Sequence, residues 1–133
     1  MKRFIHGVLF SAGCLLSVNG LAADALTEAI QKSYAPYRAA LYKANGKSQA
    51  EAREVLDQAR EGWARVASQF GVRPPAPYDR DKQLPQTFDA IDKAYAKASG
   101  EVEQNKLGKA HATLEEVREL LADLRRRNGV IVF

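Results

Sequence analysis

His111 and Glu115 are the pair of residues whose types and spacing come nearest to a reactive constellation in this 133-residue chain. Four positions apart, an imidazole and a carboxylate share one face of a helix. With an acidic group from a neighbouring helix they would form the start of a metal site. Bundles that hold metals through carboxylates use several Glu-x-x-His ligands projecting inward. Here there is one such histidine, spaced four from its glutamate, and no second set. The other reading of His111 is a boundary histidine, hydrogen-bonded or half exposed. The only other histidine, His6, lies in the apolar N-terminal run, and so does Cys14, the only cysteine. Beyond that run there is no thiolate for nucleophilic, redox or metal chemistry, and no C-x-x-C-H for attaching haem. Gly-x-Ser-x-Gly, Gly-rich phosphate loops and zinc spacings are also absent.

Two further clusters have binding chemistry. Tyr34 and Tyr37 bracket Pro36, whose missing N–H leaves the Lys32 carbonyl without its helical donor. Two phenols beside a free carbonyl are the best polar spot for a small ligand. Otherwise the aromatics Tyr34, Tyr37, Tyr42, Trp63, Phe70, Phe88 and Tyr95 read as core at helical spacing. Arg125, Arg126 and Arg127 follow one another near the C-terminus. Cations there complement the negative end of a helix dipole, and they would also meet an acidic partner or an anionic surface.

The elements that position these groups are helices. Met1-Lys2-Arg3, an apolar stretch Val8 to Val18 and small residues before Ala25 match a signal peptide over residues 1–23, cleaved between Ala22 and Ala25. Phe4 to Ala23 only just reaches the length of a membrane span, and Ser11-Ala12-Gly13-Cys14 lacks the leucine usual in a lipidation box. With Lys2 and Arg3 assigned to the leader, the 20 basic residues fall to 18 against 16 acidic, a net +2 in place of +4. That is too little to make a nucleic-acid-binding face. The chain is expected to be periplasmic or secreted, with no membrane segment after cleavage.

Residues 24–133 read as one all-α domain. Leu26, Ile30, Tyr34, Tyr37, Leu41 and Ala44 recur at helical steps from Asp24 to Ala44. Pro36 is expected to kink this helix without dividing it. Ser48-Gln49-Ala50-Glu51 reads as a reciprocal capping box. Ala52 to Phe70 then carries one apolar face. Val72 to Tyr78, with Pro74, Pro75 and Pro77, is expected to be a stiff extended crossover. A third helix is expected from near Asp81, with Pro85 in its first turn and a seam of Leu84, Phe88, Ile91, Tyr95, Ala98 and Val102. After the Asn105-Lys106 turn, Leu107, Ala110, Leu114, Val117, Leu121 and Leu124 form the seam of a fourth. Short turns within each hairpin and a longer link between them predict an up-down-up-down four-helix bundle. The tail Val130 to Phe133 is apolar. It is expected to fold back and bury Ile131 and Phe133; the alternative is docking on another chain as an added strand.

An exported, cysteine-free chain of four heptad-patterned helices over Asp24 to Arg127 resembles the periplasmic bundles of cytochrome b562 and cytochrome c′. The resemblance implies fold and compartment. It does not extend to haem: there is no Met after Met1, and His111 stands near the start of the fourth helix. The stretch Ala110-His111-Ala112-Thr113-Leu114-Glu115, continued by Leu124-Arg125-Arg126-Arg127-Asn128-Gly129-Val130, is also similar to an uncharacterised family of exported bacterial helical proteins. In that family the chain continues past the apolar tail, which would make this chain a shortened member. The reading that follows is a non-enzymatic bundle without a cofactor that binds a protein partner, a second copy or a small ligand. A metal-binding bundle using His111 and Glu115 is the second reading.

Overall fold

A computed structural model of the chain describes residues 24–132. Residues 1–23 and Phe133 lie outside them, so the signal-peptide reading and the expected burial of Phe133 are not addressed by the structure. Four long helices form: α1 (Ala25–Ala44), α2 (Gln49–Phe70), α3 (Leu84–Glu103) and α4 (Leu107–Arg127). No strand is present among the described residues, and none of these helices is long and apolar enough to cross a membrane. α1 packs along α2 and α3 along α4. The α2–α3 contact joins the two hairpins, and α1 and α4 meet more loosely. Three of these pairs, α2 with α3, α3 with α4 and α1 with α4, are joined by side chains from opposite ends or in opposite residue order. Gln49 at the start of α2 meets Val102 and Glu103 at the end of α3. Arg127 at the end of α4 meets Thr87 at the start of α3. Tyr37 and Leu41 of α1 meet Leu114 and His111 of α4 respectively.

The apolar steps read from the sequence are the core. Leu26, Ile30 and Tyr37 of α1 face Leu56, Trp63 and Phe70 of α2, the α3 seam and Ala110 to Leu124 of α4, all buried. The Trp63 ring meets Phe88 edge-on at a centroid distance of 5.0 Å, a favoured aromatic geometry. α1 stays one helix through Pro36. An alanine-sized side chain at Gly62 of α2 would stand 3.9 Å from the Pro36 ring. The two helices therefore approach closely at the position where α1 lacks a donor. Among the described residues the buried threonines Thr27, Thr87 and Thr113 each have a hydrogen-bond partner, while the buried Trp63 indole N–H has none.

Local details depart from the sequence reading in five places. The Ser48 hydroxyl accepts from the Glu51 amide, but the Glu51 carboxylate does not return to Ser48; it pairs with Lys43 across the turn at 3.2 Å. A full positive charge outcompetes a backbone amide for that carboxylate. α3 begins at Leu84 and not near Asp81, because the Asp81 carboxylate accepts from the Gln83 amide and holds a turn there. The crossover is not extended throughout. It turns at Pro75–Tyr78, closed by the Tyr78 amide on the Pro75 carbonyl and containing a cis Ala76–Pro77 bond, and enters a short 3-10 helix at Tyr78–Arg80. Tyr78, fully buried, anchors it. The Thr27 hydroxyl donates its one proton to Asp24, so the Tyr78 hydroxyl, 2.7 Å away, donates to Thr27. Tyr42, read as core, is 75% exposed.

The tail supplies the fifth departure. Asn128 and Gly129 close α4, with Gly129 at φ +63 and the Val130 amide returning to the Arg125 carbonyl. That is the left-handed helix stop expected of glycine. It turns Val130 onto the core but leaves Ile131 76% exposed. The expectation that Ile131 folds under the bundle end is therefore corrected.

Candidate functional site

α1 and α4 present the loosest seam of the bundle, and a groove of about 460 Å³ opens along it. Ile30, Gln31, Tyr34 and Arg38 line it from α1, Arg125 from α4 and Val132 from the tail. Positions 31, 34 and 38 lie at steps of three and four on one helical face. Tyr34 and Tyr37 are in tilted contact, 5.1 Å between centroids. Their hydroxyls have different environments. Tyr37 is buried and donates to the Leu114 carbonyl at 2.7 Å. Burial first, then the proximity of Tyr34 and Glu115, holds its phenol above the ordinary value. Tyr37 therefore joins α1 to α4 and does not offer its hydroxyl to a ligand, which corrects the expectation of paired phenols. Tyr34 is half-buried and forms the groove wall. The Arg38 guanidinium carbon lies 5.9 Å from the Tyr34 ring centroid, within cation–π range.

Electrostatics distinguish this groove from the other surface depressions. No carboxylate side chain among the described residues lines it. Among the described residues neither Arg38 nor Arg125 has an acidic partner within 4.0 Å, in contrast to Arg53, Arg118, Arg126 and Arg127. A larger shelf of about 670 Å³ between α3 and α4 carries Glu115, Glu116, Glu119 and Asp123 beside Arg126. Several of those carboxylates are already engaged: Glu115 and Glu119 by Arg118, Asp123 by Arg126 and Arg127. That shelf is a solvated, acidic face whose charges are partly paired within it.

The three consecutive arginines thus separate. Arg125 turns into the α1/α4 groove and Arg126 lies out on the acidic shelf. Arg127 is a structural clasp. Its guanidinium reaches Asp81 from Nε and Nη2 at 2.8 to 3.1 Å, and also Thr87 and Asp123. Asn128 adds a bond to the same Asp81 oxygen at 2.8 Å. The Asp81 side chain is only 4% exposed. Its burial alone would favour the neutral acid, but hydrogen bonds from Arg127, Asn128 and the Gln83 amide outweigh that and hold the carboxyl below the ordinary range.

His111 and Glu115 are brought together as their spacing predicted, with Nε2 3.5 Å from the carboxylate. Nδ1 lies 3.0 Å from the Leu41 carbonyl in the last turn of α1. A carbonyl only accepts, so Nδ1 carries a proton, and the ring supplies a donor in a last turn whose Tyr42 and Lys43 carbonyls are already met by Asn45 and Gly46. The other Glu115 oxygen is held 2.6 Å from Arg118, in an ion contact out of line with the N–H directions. Among the described residues no group of three or more potential ligands converges.

The sequence pointed to Tyr34 and Arg125 separately. Arg38 was missed although it stands one helical turn from Tyr34, a spacing that would have found it, and nothing in the sequence signalled that Val132 joins them. Comparison with known proteins finds no match to this chain among family models, curated proteins or solved structures.

Proposed function

We propose that the protein is an exported, non-enzymatic helical-bundle protein that binds a small ligand or a protein partner through the groove between α1 and α4. One observation carries this reading: the groove gathers Tyr34, Arg38 and Arg125 around an open seam, and among the described residues no carboxylate side chain neutralises the two guanidiniums. Concave sites with apolar walls and a few polar groups are the usual form of ligand pockets, and this one falls within their common range of roughly 300–1,000 Å³. Ile131, exposed next to Val132 in the chain, offers an apolar contact for a protein partner. A non-enzymatic role is supported by His111, whose two ring nitrogens are turned to Leu41 and Glu115. Export is supported by the charged start, apolar middle and small residues of the first 23 positions.

Two measurements test the reading. Amide spectra recorded against a chemically mixed fragment set should show shifts clustered at Ile30 to Arg38 and Arg125 to Val132. Shifts clustered elsewhere, or none, would remove the groove. In a Gram-negative host the protein should enter the periplasmic fraction with a mass that starts between Ala22 and Ala25. A full-length mass in the cytoplasm would overturn export.

A further inference from the structure

We infer that the ligand class of the α1/α4 groove is an organic monoanion: a carboxylate joined to an apolar body, its head between Arg38 and Arg125. This deepens the proposal above and rests on the groove being a binding site.

The geometry follows from the register of the two helices. Tyr37 pairs with Leu114 and Leu41 with His111, so residue numbers on α4 rise as those on α1 fall. Arg125 accordingly stands near the level of Thr27. Its charge acts on the Tyr78 hydroxyl that bonds Thr27, as that level requires. Arg38 stands eleven residues further along α1, about 16 Å along the axis at 1.5 Å per residue. Side chains in a helix lean toward its N-terminus. Because α1 and α4 run in opposite directions, Arg38 and Arg125 lean toward one another. Arg38 does so visibly, its guanidinium lying back near the Tyr34 ring. Both heads thus approach the stretch between Ile30 and Tyr34.

The chemistry of the walls then selects the ligand. Two guanidiniums without acidic partners among the described residues repel cations and reward an anion. Their planar N–H forks match a carboxylate in particular. Ile30, the face of Tyr34 and Val132 supply apolar surface beside the charges. Gln31 is the remaining polar group, an amide suited to a carboxylate oxygen or a ligand hydroxyl. A bare inorganic anion would leave the apolar wall unused, and a neutral hydrocarbon would leave both charges uncompensated.

The test uses the full chain expressed and purified as the host processes it, with octanoate, octanol, octyltrimethylammonium and acetate as probes, followed by amide spectra and calorimetry. Octanoate should shift the groove amides and bind at least tenfold more tightly than octanol or acetate, and octyltrimethylammonium should not bind there. Arg38→Gln and Arg125→Gln, both on the solvent side of the core, should each weaken octanoate at least fivefold and leave octanol within twofold. Circular dichroism confirms that both variants remain folded. Equal affinity for octanoate and octanol, preference for the cation, or indifference to both substitutions would overturn the monoanion while leaving the groove as a site. No probe shifting any groove amide would overturn both the monoanion and the groove.

Discussion

Replacing Asp81 with Asn should expose how much of the bundle's stability rests on one carboxylate. Asp81 joins the crossover to the end of α4 by accepting from Arg127 and Asn128 across 46 and 47 residues of sequence. Asparagine keeps the size but loses the charge, and it leaves the Arg127 guanidinium, 22% exposed, without its main counter-ion. Breaking a fully buried pair costs about 3–5 kcal/mol, and an exposed pair contributes about 0–1 kcal/mol. With one partner nearly buried and the other partly so, about 2–3 kcal/mol is expected here. For a domain of this size that lowers Tm by roughly 10–15 °C. The pH dependence gives a sharper check. The Asp81 carboxyl is held below its ordinary value in the folded protein, so its contribution is complete above the unfolded pKa of about 3.9 and disappears as pH falls through the lower folded value. Urea melts at pH 7 and at several points down to pH 2 should therefore show a gap between wild type and Asp81→Asn that is constant above about pH 5 and closes in acid. A gap that is the same at every pH, or smaller than about 0.5 kcal/mol at pH 7, would refute a charge-assisted clasp.

Four further outcomes are expected. His111→Ala should lower stability by about 1 kcal/mol in denaturant melts, because the Leu41 carbonyl loses its donor; no change would mean that water replaces the ring without cost. Gly100→Ala should raise stability by up to about 1 kcal/mol, since alanine is the better helix former and nothing lies within 4 Å of the added methyl. Gly62→Ala should do the same, its methyl meeting Pro36 and Arg65 only at ordinary contact distance; a loss at either site would contradict the spacing described. Val130→Ala should cost about 1 kcal/mol and Ile131→Ser less than about 0.5 kcal/mol, reflecting their different burial, with thermal melts as the readout.

The helices and their buried faces were legible in the sequence because periodicity is a local signal. Residues Leu84 to Val102 and Ala110 to Leu124 need only be read at steps of three and four to find the seam, and those residues are buried. What escaped was partner choice among charges. Glu51 has Ser48 in reach within its own helix and Lys43 in reach across a turn, and spacing alone does not rank them. Arg127 looked the same as Arg125 and Arg126, yet the three side chains radiate from consecutive helical positions to three different neighbours. The candidate groove was half legible. Tyr34 and Arg125 drew notice by type, but their meeting depends on the register of two helices separated by most of the chain. Tyr37 misled because a phenol at helical spacing does not disclose whether its hydroxyl reaches water or a carbonyl on the facing helix.

Gln49 donates from the start of α2 to the Val102 and Glu103 carbonyls that end α3, and His111 serves Leu41 in the last turn of α1 from another helix in the same way. Helix ends ordinarily fray on their own, giving fast amide exchange and ready nicking by proteases. Here a closing turn can open only if a side chain rooted in a different helix releases it. The ends of α1 and α3 thereby gain one further fastening each, worth about 1 kcal/mol, which lowers the population of frayed turns. Such cross-helix fastening would slow proteolysis that starts at a helix end.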